Sequence, residues 1–287
     1  MTELLKGRPV AEAIDGYNRT RCESLREEGI IPALAVFRIG EKDADLSYER
    51  GIAKKCEAAG IELKVFPFKE DVAAEEFYDE LDKANADPAI HGILVFRPLP
   101  KRFDDDELRN RIIPHKDIDG CSDLSLAGVF VKKDLGFIPC TAQAALEILD
   151  HYGVDVSGKN VVVLGRSLVI GKPVSLLLVN RNATVTICHT GTQNIAQIAS
   201  KADILICATG QMESVTREYV NEKQIIIDVG IGWNEEKQKL CGDVDFEDVK
   251  DCVKAITPVP GGVGSVTTSV LLKHVLEAAE RSKYQQA

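Results

Sequence analysis

Short apolar runs that stop at a glycine recur along this chain, and segments with helical spacing lie between them. PALAVFRI (residues 32–39) stops at Gly40, VVVL (161–164) at Gly165 and QIIIDV (224–229) at Gly230. Runs of this kind have no polar face, so they need cover on both sides, as strands of a parallel sheet do. Further strands are predicted at 61–68, 90–96, 183–188 and 203–208, with helices at 10–28, 45–59, 73–86, 141–152, from Pro173, at 194–199 and at 266–282. Alternation of this order implies an α/β fold with right-handed crossovers. Residues 104–139 break the rhythm and are read as an irregular stretch of functional type.

The run Gly158–Leu178 carries the most specific local signal. A strand ends at Gly165, a loop holds Arg166, Ser167 and Gly171, and Pro173 suits a first helical turn. Such a turn presents backbone N–H groups and a positive helix end to a phosphate. Its spacing is G-x-S-x-x-x-G rather than G-x-G-x-x-G, so on these residues alone it is either a dinucleotide site or an ordinary βα turn. The next strand ends at Cys188, followed by His189-Thr190-Gly191-Thr192, where an NAD-specific site usually carries an acid for the ribose. With no acid there, and with Arg166 in the loop, a 2′-phosphate meets no repulsion.

The formal net charge of -10 disfavours a nucleic-acid or anionic-membrane partner. Eight cysteines are scattered without C-x-x-C spacing, which points to reduced thiols rather than disulfides or a metal site. No segment approaches a membrane span. The expectation is a soluble cytoplasmic protein with no metal.

Six phrases, GRSLVIGKP, PHKDIDG, IPCTA, DVGIG, GDVDF and TPVPGGVG, occur in an order that resembles the methylenetetrahydrofolate dehydrogenase/cyclohydrolase (FolD-type) family. GILVFRPLP resembles a further signature of that family. The resemblance runs from near the N-terminus into the last helix. It implies two α/β domains around a cleft, the second a Rossmann-type dinucleotide-binding domain, usually in a homodimer. Residues 1–140, joined by a C-terminal helix (266–287), would bind folate, and 141–265 would bind NADP or NAD. The implied reaction is oxidation of 5,10-methylenetetrahydrofolate to 5,10-methenyltetrahydrofolate in one-carbon metabolism, which serves purine biosynthesis. By position, Tyr48 matches the tyrosine that stacks on folate and Asp119 the aspartate that binds the pterin. Pro260, Gly261 and Gly262 match the loop beside folate and nicotinamide. Gly165, Arg166, Ser167, Thr190 and Ile231 match cofactor contacts.

Two departures bear on the chemistry. The family's catalytic lysine lies four residues after the tyrosine, one helical turn away on the same face. Ile52 stands there, and Phe96 stands where the lysine's glutamine partner falls. Losing both together avoids leaving one buried polar group unpaired. Cyclohydrolysis adds water and needs a positioned proton-transfer group, whereas hydride transfer chiefly needs two aligned rings. The expectation is a dehydrogenase whose cyclohydrolase activity (methenyl- to 10-formyltetrahydrofolate) is weak or absent. The alternatives are a fully bifunctional enzyme using another group, with Lys55 one turn further on as the candidate, and a non-catalytic folate or nucleotide binder. A hydroxy-acid dehydrogenase of Rossmann type would need a histidine or lysine acid/base that no motif supplies. Gly191, where a basic residue is common, and Ser265, where proline is common, are smaller departures; the first brings the NAD/NADP preference to near even.

Overall fold

The computed structural model describes residues 2–283; the end of the C-terminal segment assigned above lies outside them. The elements in chain order are β1 (Glu3–Leu4), α1 (Gly7–Glu27), β2 (Ala33–Ile39), α2 (Asp43–Ala59), β3 (Glu62–Phe68), α3 (Ala74–Ala86) and β4 (Gly92–Val95). Three helices follow, α4 (Asp105–Arg111), α5 (Asp123–Val131) and α6 (Cys140–His151). Next come β5 (Asn160–Leu164), α7 (Gly171–Val179), β6 (Thr184–Cys188), α8 (Ile195–Ala199), β7 (Ile204–Cys207) and β8 (Ile225–Asp228). The chain closes with β9 (Gly232–Asn234), β10 (Lys239–Cys241), α9 (Phe246–Val249), β11 (Ala255–Ile256) and α10 (Gly264–Ser282).

Two compact units result. One comprises Ala13–Cys140 with the chain from Thr268; the other comprises the chain up to Glu12 with Thr141–Thr267. The sequence reading set the first twelve residues with the first domain. They fall in the other unit because β1 pairs with β11, Glu3 opposite Ala255 and Leu4 opposite Ile256.

The first unit is built on a parallel sheet in the order β3-β2-β4. All seven residues of β2 are buried, as a run without a polar face requires. Phe37 stacks on Phe66 at 4.6 Å and meets Phe77 edge-on, so one face of the sheet is closed by an aromatic cluster against α3. Gly60, in the left-handed region at φ 81, caps α2 and turns the chain into β3. The stretch 104–139, read as irregular, contains α4 and α5. Each starts at a side-chain cap: Asp104 accepts from the N–H groups of Asp106 and Glu107, and the Ser122 hydroxyl accepts from Ser125 N–H.

The second unit holds a six-stranded parallel sheet in the order β1-β11-β8-β7-β5-β6. The chain leaves β5 towards β6 on one side and then crosses to β7 on the other. In an open α/β sheet that reversal opens a crevice at the carboxyl ends of the strands. β9 and β10 form a separate antiparallel hairpin, with Trp233 opposite Leu240. No helix among the described residues is long and apolar enough to cross a membrane.

Candidate active site

The glycine turn after β5 is dictated by backbone contact. Gly165 has φ 118, and a Cβ there would lie 2.1 Å from Ala208 O; a Cβ on Gly171 would lie 2.3 Å from Gly165 O. Side chains at either point would part the start of α7 from the strand ends. Ser167 closes the loop, its hydroxyl accepting Ile170 N–H at 3.3 Å and its carbonyl accepting Lys172 N–H at 3.0 Å. A cavity of about 360 Å³ opens over this turn, lined by Gly165, Arg166, Ser167, His189, Thr190 and Thr209 among others. None of its lining residues is acidic. His189 Nδ1 accepts Gly191 N–H at 3.1 Å, which places the neutral ring's proton on Nε2. The bare glycine cradle, the helix start and the uncharged or basic lining suit a dinucleotide phosphate.

Ile231, Pro260, Gly261 and Gly262 meet elsewhere in the same unit, around a cavity of about 170 Å³. Ile231 is 63% exposed. The proline-glycine loop is anchored from α1: Gly7 N–H donates to Gly261 O at 2.8 Å, and a Cβ on Gly7 would lie 2.0 Å from Gly262 O. Ile231 therefore keeps company with the Pro260 loop rather than with Gly165, Arg166, Ser167 and Thr190.

DVGIG and GDVDF turn out to be two halves of one device. The buried Asp228 carboxylate accepts N–H groups from Gly230 (3.1 Å), Asp243 (3.1 Å) and Val244 (3.0 Å). Asp243, also buried, accepts from Thr209 N–H (2.5 Å) and Gly210 N–H (3.1 Å). Each motif's glycine makes room for the other motif's carboxylate. A Cβ on Gly242 would lie 2.0 Å from Asp228 Oδ2, and one on Gly230 would lie 2.3 Å from the Asp243 carboxyl. Burial pushes Asp228 up to about 7, against the pull of its N–H partners.

In the first unit Tyr48 stands on α2, 41% exposed, with its ring tilted onto Phe96, centroids 5.1 Å apart. Burial, with Asp119 and Cys140 nearby, pushes its hydroxyl above its ordinary range. Burial and the neighbouring Asp117 likewise push Asp119 up to about 7, while Arg97 and Cys140 pull the other way. Asp117 does loop work, accepting from Ser122 N–H (2.8 Å), Cys121 N–H (3.1 Å) and the Ser125 hydroxyl (2.6 Å). Lys116 Nζ donates to the carbonyls of Ala84, Asn85 and Asp87 at 2.7–3.0 Å, tying PHKDIDG to the end of α3.

Ile52 is 0% and Phe96 7% exposed. Both are buried apolar side chains, Ile52 on α2 and Phe96 directly after β4. Lys55, the conceivable substitute, is occupied: its Nζ lies 2.7 Å from Asp15 Oδ2 and 2.7 Å from Ser269 Oγ. Arg38 at the end of β2 donates to Glu49, the residue after Tyr48, at 2.7 Å and to the Gly40 carbonyl, with only 7% of its side chain exposed. The sequence reading singled out neither this pair nor the Asp228–Asp243 lock. The lock did leave a signal, an aspartate within two residues of a glycine in each of two separated phrases, but only the fold sets one opposite the other. Among the described residues no group of three or more His, Cys, Asp or Glu is placed to hold a metal ion.

Comparison with known proteins gives a consistent answer. A family model described as "Tetrahydrofolate dehydrogenase/cyclohydrolase, catalytic domain" matches residues 5–119, and "Tetrahydrofolate dehydrogenase/cyclohydrolase, NAD(P)-binding domain" matches residues 139–283. The "Bifunctional protein FolD" of Clostridium botulinum (strain Langeland) is 48% identical over 282 residues, spanning 98% of this chain and 100% of that protein. The crystal structure of the bifunctional FolD methylenetetrahydrofolate dehydrogenase/cyclohydrolase from Campylobacter jejuni superposes with a TM-score of 0.94 at 34% identity, covering 98% of this chain and 99% of that one. The Trypanosoma brucei methylenetetrahydrofolate dehydrogenase-cyclohydrolase, solved with NADP cofactor and inhibitor, superposes with a TM-score of 0.91 at 34% identity, covering 98% of each chain.

Proposed function

This chain belongs to the tetrahydrofolate dehydrogenase/cyclohydrolase family, and from that premise we propose that it oxidises 5,10-methylenetetrahydrofolate to 5,10-methenyltetrahydrofolate and hydrolyses the product weakly or not at all. The dehydrogenase half is supported above all by the glycine cradle at Gly165 and Gly171, lined without a single carboxylate. NAD(P)⁺ supplies the hydride acceptor when bound. Gly165, Arg166, Ser167 and Thr190 would hold its phosphates and adenosine end, and Ile231 with Pro260–Gly262 its nicotinamide end. Tyr48 offers an open ring face for the folate to stack on, and Asp119 accepts from the pterin's amino and ring N–H groups.

The substrate does much of the work in oxidation. A C–H bond of its methylene carbon breaks, the hydride leaves with both electrons, and the lone pair of an adjacent nitrogen forms the new C=N bond. No protein group has to move a proton, so the residues above need only bind, orient and exclude water. Hydrolysis is different. Water adds to the cationic carbon, loses a proton, and the ring opens with a proton delivered to nitrogen. Absence of a positioned group for such transfers commonly costs ~10²- to 10⁴-fold. Ile52 and Phe96 offer no such group, and Lys55 is held by Asp15 and Ser269.

The bifunctional naming of a relative at 48% identity favours the second reading, an enzyme that performs both steps. Purified protein given methenyltetrahydrofolate separates the two. Our reading expects ring opening little above the uncatalysed rate; turnover as fast as dehydrogenation would establish the bifunctional one. For the cofactor, Arg166 and the lack of acidic lining admit a 2′-phosphate, while Gly191 adds no cation to hold it. We place the preference near even, with kcat/KM for NAD⁺ and NADP⁺ within about tenfold, or about 1.4 kcal/mol. The homodimer is carried over from the resemblance, and sedimentation of the purified chain tests it.

A further inference from the structure

We propose that Asp228 and Asp243 are positioning residues that form one clasp, holding the cavity for the cofactor's adenosine end in register with the cavity for its nicotinamide end. The argument uses the cofactor placement given under Proposed function. Thr209 belongs to the wall of the first cavity, and its N–H is held by Asp243 Oδ2 at 2.5 Å. The main chain of Asp243 in turn donates to Asp228 Oδ1 at 3.1 Å. The same Oδ1 accepts Gly230 N–H at 3.1 Å, and Gly230 and Ile231 line the second cavity. A continuous run of charge-assisted bonds thus joins one cavity wall to the other, through the ends of the neighbouring strands β7 and β8.

Nothing in this run is loose. Asp228 is fastened from behind, its N–H donating to the Thr257 hydroxyl at 2.8 Å. Gly230 and Gly242, having no Cβ, let each carboxylate press directly against the other motif's backbone. Neither aspartate is among the residues lining the first cavity, so its effect there passes through the Thr209–Gly210 backbone. A rigid spacing between two half-sites matters to a ligand that spans both and not to one that fills a single half-site.

That difference defines the experiment. Binding of NADP⁺ and of 2′,5′-ADP, which carries only the adenosine end, is measured by calorimetry on wild type, Asp228→Asn and Asp243→Leu. Both oxygens of Asp228 accept, so the amide turns an acceptor into a donor facing backbone N–H; only Oδ2 of Asp243 accepts, so leucine keeps the branched shape and removes the acceptor. Each variant is expected to bind NADP⁺ about tenfold more weakly while 2′,5′-ADP changes by less than about twofold. Variants that bind both ligands as wild type does, or that lose both equally, overturn the clasp. A wild type that binds NADP⁺ no tighter than 2′,5′-ADP overturns instead the two-cavity placement on which the proposal rests. Should the variants fail to fold, amide exchange on wild type decides: the Thr209, Gly210, Gly230 and Val244 N–H groups are expected to be protected already in the free protein, and their exchanging freely until NADP⁺ binds would overturn the proposal.

Discussion

Ile52 and Phe96 fix what this site is expected to lose, and both were visible in the sequence as apolar residues at polar positions. Their burial makes the test specific. Ile52→Lys alone would leave an ammonium in the core without a partner and should destabilise the protein by about 3–5 kcal/mol. With Phe96→Gln added, the amide can receive that lysine, so stability should partly return and cyclohydrolase turnover should rise by at least about tenfold. Thermal unfolding and turnover on methenyltetrahydrofolate measure the two effects. Arg38 follows the same logic of pairs. Arg38→Met strands Glu49, which keeps some access to water, and should cost about 1–3 kcal/mol, whereas Arg38→Met with Glu49→Leu should recover most of it, read by denaturant unfolding. Asp119 gives a pH dependence. Its carboxyl titrates near 7 in the free protein and must be ionised to accept two N–H groups from the pterin. Below pH 7 binding must first release the proton, so KM for the folate should rise as pH falls through about 7. Asp119→Asn should remove that limb of the profile.

At the scale of elements, a strand followed by glycine was easily read, because β2, β5 and β8 are mainly apolar runs, with Arg38, Asn160 and Asp228 their only polar members, and Gly40, Gly165 and Gly230 follow them. What the sequence concealed is shorter. β1 and β11 have two residues each, too few for any periodicity, so the N-terminal segment's place beside β11 was invisible. α4 and α5 were masked because Asp104 and Ser122 work as caps while standing in polar stretches that read equally well as loop. α7 begins at Gly171, two residues before the proline taken as its start, since a glycine pressed against Gly165 can serve as the first turn. That packing carries a prediction. Gly171→Ala would put a methyl 2.3 Å from a backbone carbonyl, which neither strand nor helix can yield, at a cost of about 1–3 kcal/mol. Weaker NAD(P)⁺ binding should accompany the lowered unfolding temperature.

For the molecule as a whole, order and wording of motifs revealed more than composition did. Charge and cysteine usage argued against whole classes of partner, but the α/β class came from alternation, the two-domain plan from the resemblance those motifs carry, and the chemistry from individual residues. Tyr48, Phe96 and Asp119 lie far apart in sequence and belong to one unit, with Tyr48 packed on Phe96 and its hydroxyl near Asp119. Arg38–Glu49 and Asp228–Asp243 were out of reach because each needs two segments folded against one another before its partners exist. The chemistry proposed for the molecule is oxidation with which hydrolysis does not keep pace. One reaction tests it: purified protein, 5,10-methylenetetrahydrofolate and NADP⁺ or NAD⁺, with reduced cofactor and methenyltetrahydrofolate followed together. The prediction is that both form in equal amounts and that the methenyl product then decays little faster than it does without protein. No reduced cofactor with either nucleotide, or reduced cofactor without accumulating methenyltetrahydrofolate, would contradict it.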